Sequence, residues 1–464
     1  MSATMPATDD EPHRPSLREN DEYDDAQLLL PPTDRGRGAY MALACCTISQ
    51  APIWGYSVSF GIFQEYYSNY SDISAAPGAF ASIGAAQVGV MYLMMPVIFV
   101  ILHRRPHWRP WCGRLGMIIT TASISASAFA STVGSLIVTQ GVLYAFGCSL
   151  LFSPISVYMD EWFVKFKGAA YGFMWGGKSA VGVGMPFVFS ALLRSFGLRV
   201  TLLSWAAASA LLTLPALVFM KPRLPLPITH RVRPLSWDFV RRTIFWMMQL
   251  GVVIQSLGYM MPATYLASYA FNIGFPSVTG PLLLALFSLA SVPGSIIHGF
   301  LGDKVSASKA ILVSSLGSAV PVFLLWGLSL DLANLIAFGL TFGFFAGGFS
   351  STWSGMVNEI QRSDAAADSS IVFGMLLGGR GIGFVLSGPV SGALLSIRER
   401  LTAEPLGYGT IYGPMIIFTG ITAILGAWGS YWVIAKAVKP KLLACCSHRG
   451  ASPLEGGLRP ERAI

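Results

Sequence analysis

Residues 172–193 read GFMWGGKSAVGVGMPFVFSALL, and residues 374–395 read GMLLGGRGIGFVLSGPVSGALL. Each is an apolar run near the ~20 residues that a helix needs to cross the hydrocarbon core of a bilayer. Each holds a single charge, Lys178 in the first and Arg380 in the second. Laid over one another without a gap, they match at Gly172 on Gly374, Gly176-Gly177 on Gly378-Gly379, Lys178 on Arg380 and Ala191-Leu192-Leu193 on Ala393-Leu394-Leu395, an offset of 202 residues. A membrane-crossing helix repeated at so long an interval implies a chain of two equivalent halves. A charge at the bilayer centre costs roughly 2.5–3.5 kcal/mol on insertion scales, so an intramembrane cation is by default a functional-site hypothesis.

The first run also fits the phosphate-loop pattern G-x-x-x-x-G-K-S through Gly172, Gly177, Lys178 and Ser179. That motif requires a strand before it, a helix after it and backbone amides free to meet phosphate. Here the pattern sits inside an apolar run, and the repeat replaces Lys-Ser by Arg380-Gly381. The glycines therefore answer to helix packing rather than to a nucleotide.

Composition agrees with a membrane protein. Hydrophobic residues make up 53% of the 464 and charged residues 12%, about half the roughly 25% charged fraction of soluble domains. The net charge of +8 is then read by position rather than as a nucleic-acid footprint. Six cysteines, Cys45, Cys46, Cys112, Cys148, Cys445 and Cys446, show neither metal-ligand spacing nor a disulfide framework. No cofactor, metal or catalytic residue is indicated.

Beyond an acidic tail at 1–38, expected to be disordered, twelve apolar spans are expected near 39–63, 78–102, 113–133, 135–159, 168–193, 199–220, 243–269, 280–301, 309–328, 332–356, 371–396 and 410–435. The fold class is an all-α membrane protein of twelve transmembrane helices in two pseudo-symmetric six-helix halves, 39–220 and 243–435. A basic connection at 221–242 joins them, and a tail at 436–464 follows.

Lys and Arg orient the bundle. The tails and the connections after even-numbered spans hold all but six of the 31 basic residues; Arg194, Arg199, Arg398 and Arg400 lie opposite, and Lys178 and Arg380 lie inside spans. This asymmetry places both termini in the cytoplasm, with the plasma membrane expected rather than the vacuolar one. The Asn69-Tyr70-Ser71 sequon then falls outside. An acidic dileucine-like pattern at Asp24–Leu29 and a palmitoylation site at Cys445-Cys446 are weaker signals.

Four stretches together resemble the monocarboxylate porters of the major facilitator superfamily, especially their fungal branch. They are Ser59-Phe60-Gly61-Ile62-Phe63-Gln64-Glu65-Tyr66-Tyr67, Glu161-Trp162-Phe163 through Gly168-Ala169-Ala170-Tyr171-Gly172, Gly258-Tyr259-Met260-Met261-Pro262 with Tyr265, and Gly299-Phe300-Leu301-Gly302-Asp303-Lys304. The resemblance spans about residues 34–436 and implies two six-helix halves holding a small-molecule substrate near the midplane, in a monomer. This chain departs from the family at the acid-x-x-x-Arg pair of the eighth span, where Ser291 and Ser295 stand, and at the gate motif after the second, where His103-Arg104-Arg105-Pro106-His107 stands.

Lys178 lies ten residues past Gly168, and Arg380 nine past Ile371, which puts both ~15 Å deep at ~1.5 Å rise per residue. Every acidic residue falls in a tail, a connection or a span end, so an anionic substrate is the charge that answers the two cations. Arg380 suits a bidentate grip on a carboxylate, and Lys178 offers a point charge. By the resemblance, Trp54, Tyr56, Phe60, Tyr144, Gln255, Tyr259, Phe345 and Trp353 line the cavity. Asp303 and Lys304, with Asp160 and Glu161, form an inner gate.

The function expected is transport of an organic anion, a carboxylate, by alternating access, with protons as a possible coupling ion. Efflux of a neutral aromatic-rich metabolite and a non-transporting transceptor stay open as alternatives. In the efflux reading, the cations would be structural.

Overall fold

The computed structural model describes residues 30–70, 80–224, 236–276, 278–398 and 407–449. The tail with its Asp24–Leu29 pattern, Ser71 of the sequon, 225–235 of the basic connection, Arg400 and the side chains of Cys445 and Cys446 lie outside what is described. Among the described residues every regular element is helical.

In chain order, α1 comprises Arg37–Ile48, Gln50–Val58 and Phe60–Tyr70, broken at Ser49 and Ser59. Then come α2 (Ala81–Arg104), α3 (Arg109–Ser127) and α4, which runs from Val133–Leu136 through a π turn at Ile137–Leu143 into Tyr144–Trp162. The single stretch Lys167–Phe219 contains 53 residues, about 80 Å at ~1.5 Å per residue and more than twice the bilayer core. It turns at Gly197, whose φ of 75° and ψ of 178° are non-helical and open in practice only to glycine. We name its limbs α5 (167–196) and α6 (198–219).

The second half repeats the order with α7 (Thr243–Asn272), α8 (Thr279–Lys304) and α9 (Ala307–Pro321 with a π turn, Val322–Trp326). After these, α10 is Leu332–Gly348, a 3-10 turn at Phe349–Thr352 and Trp353–Ser363; α11 is Ser369–Arg398; and α12 is Gly413–Leu425 followed by Trp428–Arg449.

Eight described helices are long and apolar enough to cross a membrane, nine when the two parts of α12, bent by 41°, are taken as one span. The expected twelve crossings correspond to twelve helical stretches only when Lys167–Phe219 is divided at Gly197 and the broken α1 and the less apolar α3 are counted as well. The structure also moves some boundaries. α3 begins at Arg109 rather than near 113. α12 runs on to Arg449, so the last segment begins as helix.

Two seams join the halves, α5 on α8 and α2 on α11. The repeated glycines make both. A Cβ on Gly172 would lie 2.7 Å from the carbonyl oxygen of Ser295 in α8, and one on its counterpart Gly374 would lie 2.7 Å from the Phe99 ring of α2. Gly176 likewise faces α8 and Gly378 faces Pro96 of α2, whereas Gly177 faces Thr47 of α1 and Gly379 faces Gln249 of α7. The same glycine thus has the same job in each half. Small residues let the backbones approach where lipid supplies no hydrophobic drive to association.

Candidate functional site

The break in α1 sets the first wall of the site. Gln50 follows it and donates through Nε2 to the carbonyl oxygen of Cys46 at 2.9 Å, and its Oε1 accepts the indole N–H of Trp54 at 3.0 Å. The ring so fixed lies 4.1 Å from Lys178 Nζ, and Trp175, one turn before the lysine on α5, lies 5.4 Å from it. These are cation–π distances, worth ~2 kcal/mol or more where water is excluded. Lys178 is partly rather than fully buried.

Arg380 is only 1% exposed. Its guanidinium carbon lies 4.7 Å from the ring of Phe384, one turn on along α11, 5.0 Å from Tyr259 of α7 and 5.1 Å from Trp353 of α10. Nη1 donates weakly to Gln255 Oε1 at 3.5 Å, and Nε is buried without a partner. Gln255 and Tyr259 are one turn apart on α7, so one helix face supplies both contacts. A cavity of about 10 Å³ adjoins them, on the order of one water.

The two cation sites form one box. Trp54 packs on Tyr92 of α2 at 5.3 Å, and Tyr92 on Phe384 at 5.4 Å; Trp54 also reaches Trp175 at 6.1 Å, and Trp175 reaches Trp353 at 5.8 Å. Three rings come from each half, and among the described residues neither cation has a carboxylate partner. Rings satisfy the faces of the cations but leave N–H donors unused.

Other expected residues stand elsewhere. Tyr56 packs on Phe60, Phe63, Tyr144 and Phe189 in a separate aromatic cluster. The Tyr144 hydroxyl donates to the Pro52 carbonyl at 3.0 Å and so braces α1. Phe345 lies against His298, whose Nδ1 bonds the Gly294 carbonyl at 2.8 Å. Ser291 and Ser295 pin α8 to α10, with Ser291 Oγ donating to the Gly343 carbonyl at 2.9 Å and Ser295 Oγ to that of Gly347 at 3.3 Å.

At the basic end of the bundle, charges tie the halves together. The Asp303 carboxylate of α8 accepts the first amides of α5, Gly168 N at 2.8 Å and Ala169 N at 2.7 Å, an anion on a helix N-terminus. Lys167 Nζ lies 2.8 Å from Asp160 Oδ1, and Asp160 also accepts the hydroxyls of Tyr171 at 2.9 Å and of Ser369, across the seam, at 3.1 Å. His103 at the end of α2 reaches Asp368, before α11, at 3.2 Å. Glu161 instead pairs with Arg109 of the same half and accepts the amides of Arg223 and Leu224 at the start of the connection. Lys304 is exposed.

Trp175, Tyr92 and Phe384 were missed among the box residues, as were Ser369, His103 and Asp368 among the ties. Trp175 and Phe384 carry a signal, since each is a ring one helical turn from its cation. Tyr92 carries none, because only the α2–α11 seam brings it there.

A family model described as Major Facilitator Superfamily matches residues 40–367. The chain is 24% identical over 409 residues to the MFS-type transporter pynF of Aspergillus niger, covering 87% of this chain and 92% of that protein. It is 25% identical over 400 residues to monocarboxylate transporter 10 of Danio rerio, covering 81% and 75%, and 25% identical over 325 residues to the fujikurins efflux protein of Gibberella fujikuroi, covering 69% of each. Among solved structures, the nucleoside transporter NupG superposes with a TM-score of 0.58 at 15% identity, over 84% of this chain and 98% of that one. With an all-helical bundle whose repeated glycines line paired seams and a family match over most of its length, this chain belongs to the major facilitator superfamily and is a multi-pass membrane transporter resembling the monocarboxylate-transporter-like branch.

Proposed function

We propose that the protein carries an organic anion, a carboxylate, across the membrane by alternating access, with both termini in the cytoplasm. One observation carries this reading: Lys178 and Arg380, equivalent positions of the two halves, enter one aromatic box and have no carboxylate partner among the described residues. A bound carboxylate supplies that missing charge and receives the unpartnered Arg380 Nε. Rings on both sides of the box suit an apolar or aromatic body attached to the carboxylate.

The anion touches both halves at once, so its binding energy depends on how they are tilted against one another. That dependence is what couples binding to a rocking motion. The ties through Asp303, Asp160 and His103 close the basic end, which we assign to the cytoplasmic side. Asp303 and Asp160 are the gate residues of this reading, while Glu161 and Lys304 contribute charge to the same end without crossing the seam.

The test is uptake of labelled carboxylates into proteoliposomes holding the purified chain, against empty vesicles and against the Arg380→Gln variant. Transport above the empty vesicles that falls at least about tenfold in the variant, the loss of one charge-assisted contact, supports the reading; anion-competed transport that survives Arg380→Gln overturns it. The second reading, export of a neutral ring-rich compound, is favoured by the packing of Arg380 against three rings. It predicts transport that labelled carboxylates do not inhibit.

A further inference from the structure

A larger cavity lies away from the paired cations, on the flank of one half between α3, α4 and α6. Its volume is about 540 Å³, within the ~300–1,000 Å³ typical of small-molecule sites. The walls are apolar, with Met117 and Ile118 of α3 facing Leu214 and Leu217 of α6. Arg109 and Arg114, in the first turns of α3, line the end nearest the basic face.

The two arginines differ. Arg109 is neutralised by Glu161 through Nη1, yet its Nε is buried without a partner. Arg114 is exposed, has no carboxylate partner among the described residues, and rests over the Trp111 ring at 5.1 Å. Trp108 and Trp111 are themselves 48% and 64% exposed. Exposed tryptophans beside arginines at a span end mark the headgroup level of a bilayer. The cavity therefore opens where acyl chains meet phosphates.

The geometry points to a binding site for an anionic phospholipid, with its chains along the α3–α6 walls and its phosphate between Arg114 and the Arg109 Nε–H. One phosphodiester supplies both an acceptor for Nε and the charge that Arg114 lacks. A zwitterionic lipid brings its own cation against the same arginines, which also have Arg104 and Arg105 exposed just upstream. Basic pockets between helices at a membrane surface take anionic headgroups by this chemistry. The site shares no residue with the box around Lys178 and Arg380, so it stands apart from the substrate proposed above.

Native mass spectrometry of the purified full chain, titrated with phosphatidylglycerol or phosphatidylcholine, tests this. Phosphatidylglycerol is retained about fivefold better, the worth of one basic residue at a charged surface. Arg114→Gln abolishes that preference and Arg114→Lys keeps it. Leu214 is 53% exposed, so Leu214→Trp fills the groove without disturbing the core and lowers retention of both lipids. Chainless glycerophosphate does not compete. Equal retention of the two lipids by the wild type, unchanged retention in Arg114→Gln, or displacement by glycerophosphate overturns the assignment.

Discussion

Lys167 and Ser369 hold the same place in the two halves, 202 residues apart, and they touch: the lysine ammonium donates to Ser369 Oγ at 2.5 Å. The next turn repeats the relation, with the rings of Tyr171 and Phe373, again 202 residues apart, at 4.8 Å. Equivalent positions of a two-fold arrangement meet only on its axis. The pseudo-two-fold axis therefore passes between the starts of α5 and α11, at the basic end where the halves are tied. The paired cations lie further along the same two helices.

Asp160 gathers Lys167, Tyr171 and Ser369 around that axis. Asp160→Asn keeps the shape but removes the charge, and hydrogen bonds to charged groups are worth ~1.5–3 kcal/mol each. Hydrogen exchange of the amides over 164–172 and 368–374 should speed up by about tenfold or more. Unchanged exchange would show that the network does not hold this end shut.

The box makes unequal demands on its cations. Arg380→Lys retains charge but loses the planar fork and the stacking on three rings, so transport of a carboxylate should fall by roughly tenfold, with Arg380→Gln lower still. Lys178→Arg should be milder, because Lys178 is a point charge over Trp54. Initial rates at several substrate concentrations separate binding from turnover.

Asp303 caps α5 from the opposite half. Asp303→Ala leaves the Gly168 and Ala169 amides without their acceptor, at a cost of about 1–2 kcal/mol. The melting temperature should drop. Asp303→Asn should fall between alanine and wild type.

Asp368 links pH to closure. Burial pushes its carboxyl up, but the hydrogen bond and charge of His103, with the amides of Ile371 and Ser370, outweigh that and hold it below the usual carboxylate range. A carboxyl lowered in the folded state stabilises above its unfolded value and loses that contribution as pH falls through the folded one. Asp368→Asn should therefore melt below wild type from pH 7 down to about 4. The two curves should converge only at more acid pH, and a gap independent of pH would rule out the ionised form as the cause.

Gly172 and Gly184 lie on one helix in different surroundings. A methyl on Gly172 meets the Ser295 carbonyl oxygen at 2.7 Å, whereas nothing lies within 4 Å of one on Gly184. Gly172→Ala should cost about 1–3 kcal/mol by forcing the α5–α8 seam apart. Gly184→Ala should be neutral or gain up to ~1 kcal/mol from helix propensity. Thermal unfolding of the two variants side by side checks the seam.

Much of the fold was legible from the repeat alone. Apolar length, the 202-residue offset and the Lys and Arg asymmetry need only local composition, because a bilayer forces each segment to satisfy its own backbone as helix. The equivalence of Lys178 and Arg380 was likewise legible in the repeat; that Gln255, Tyr259 and Trp353 touch Arg380 was not. The seams decided the rest. Tyr92 joins the box, and His103 meets Asp368, only because α2 lies along α11, a contact between residues hundreds apart that no spacing encodes. Tyr144 shows the converse: its type suited a pocket, but in the folded bundle a buried hydroxyl must find an acceptor, and the nearest was the backbone of α1. Sequence by itself determined which segments are long, apolar and helical and which two charges lie inside them. Tertiary structure alone decided which rings surround those charges and which carboxylates lock the basic end, because both depend on how one half packs against the other.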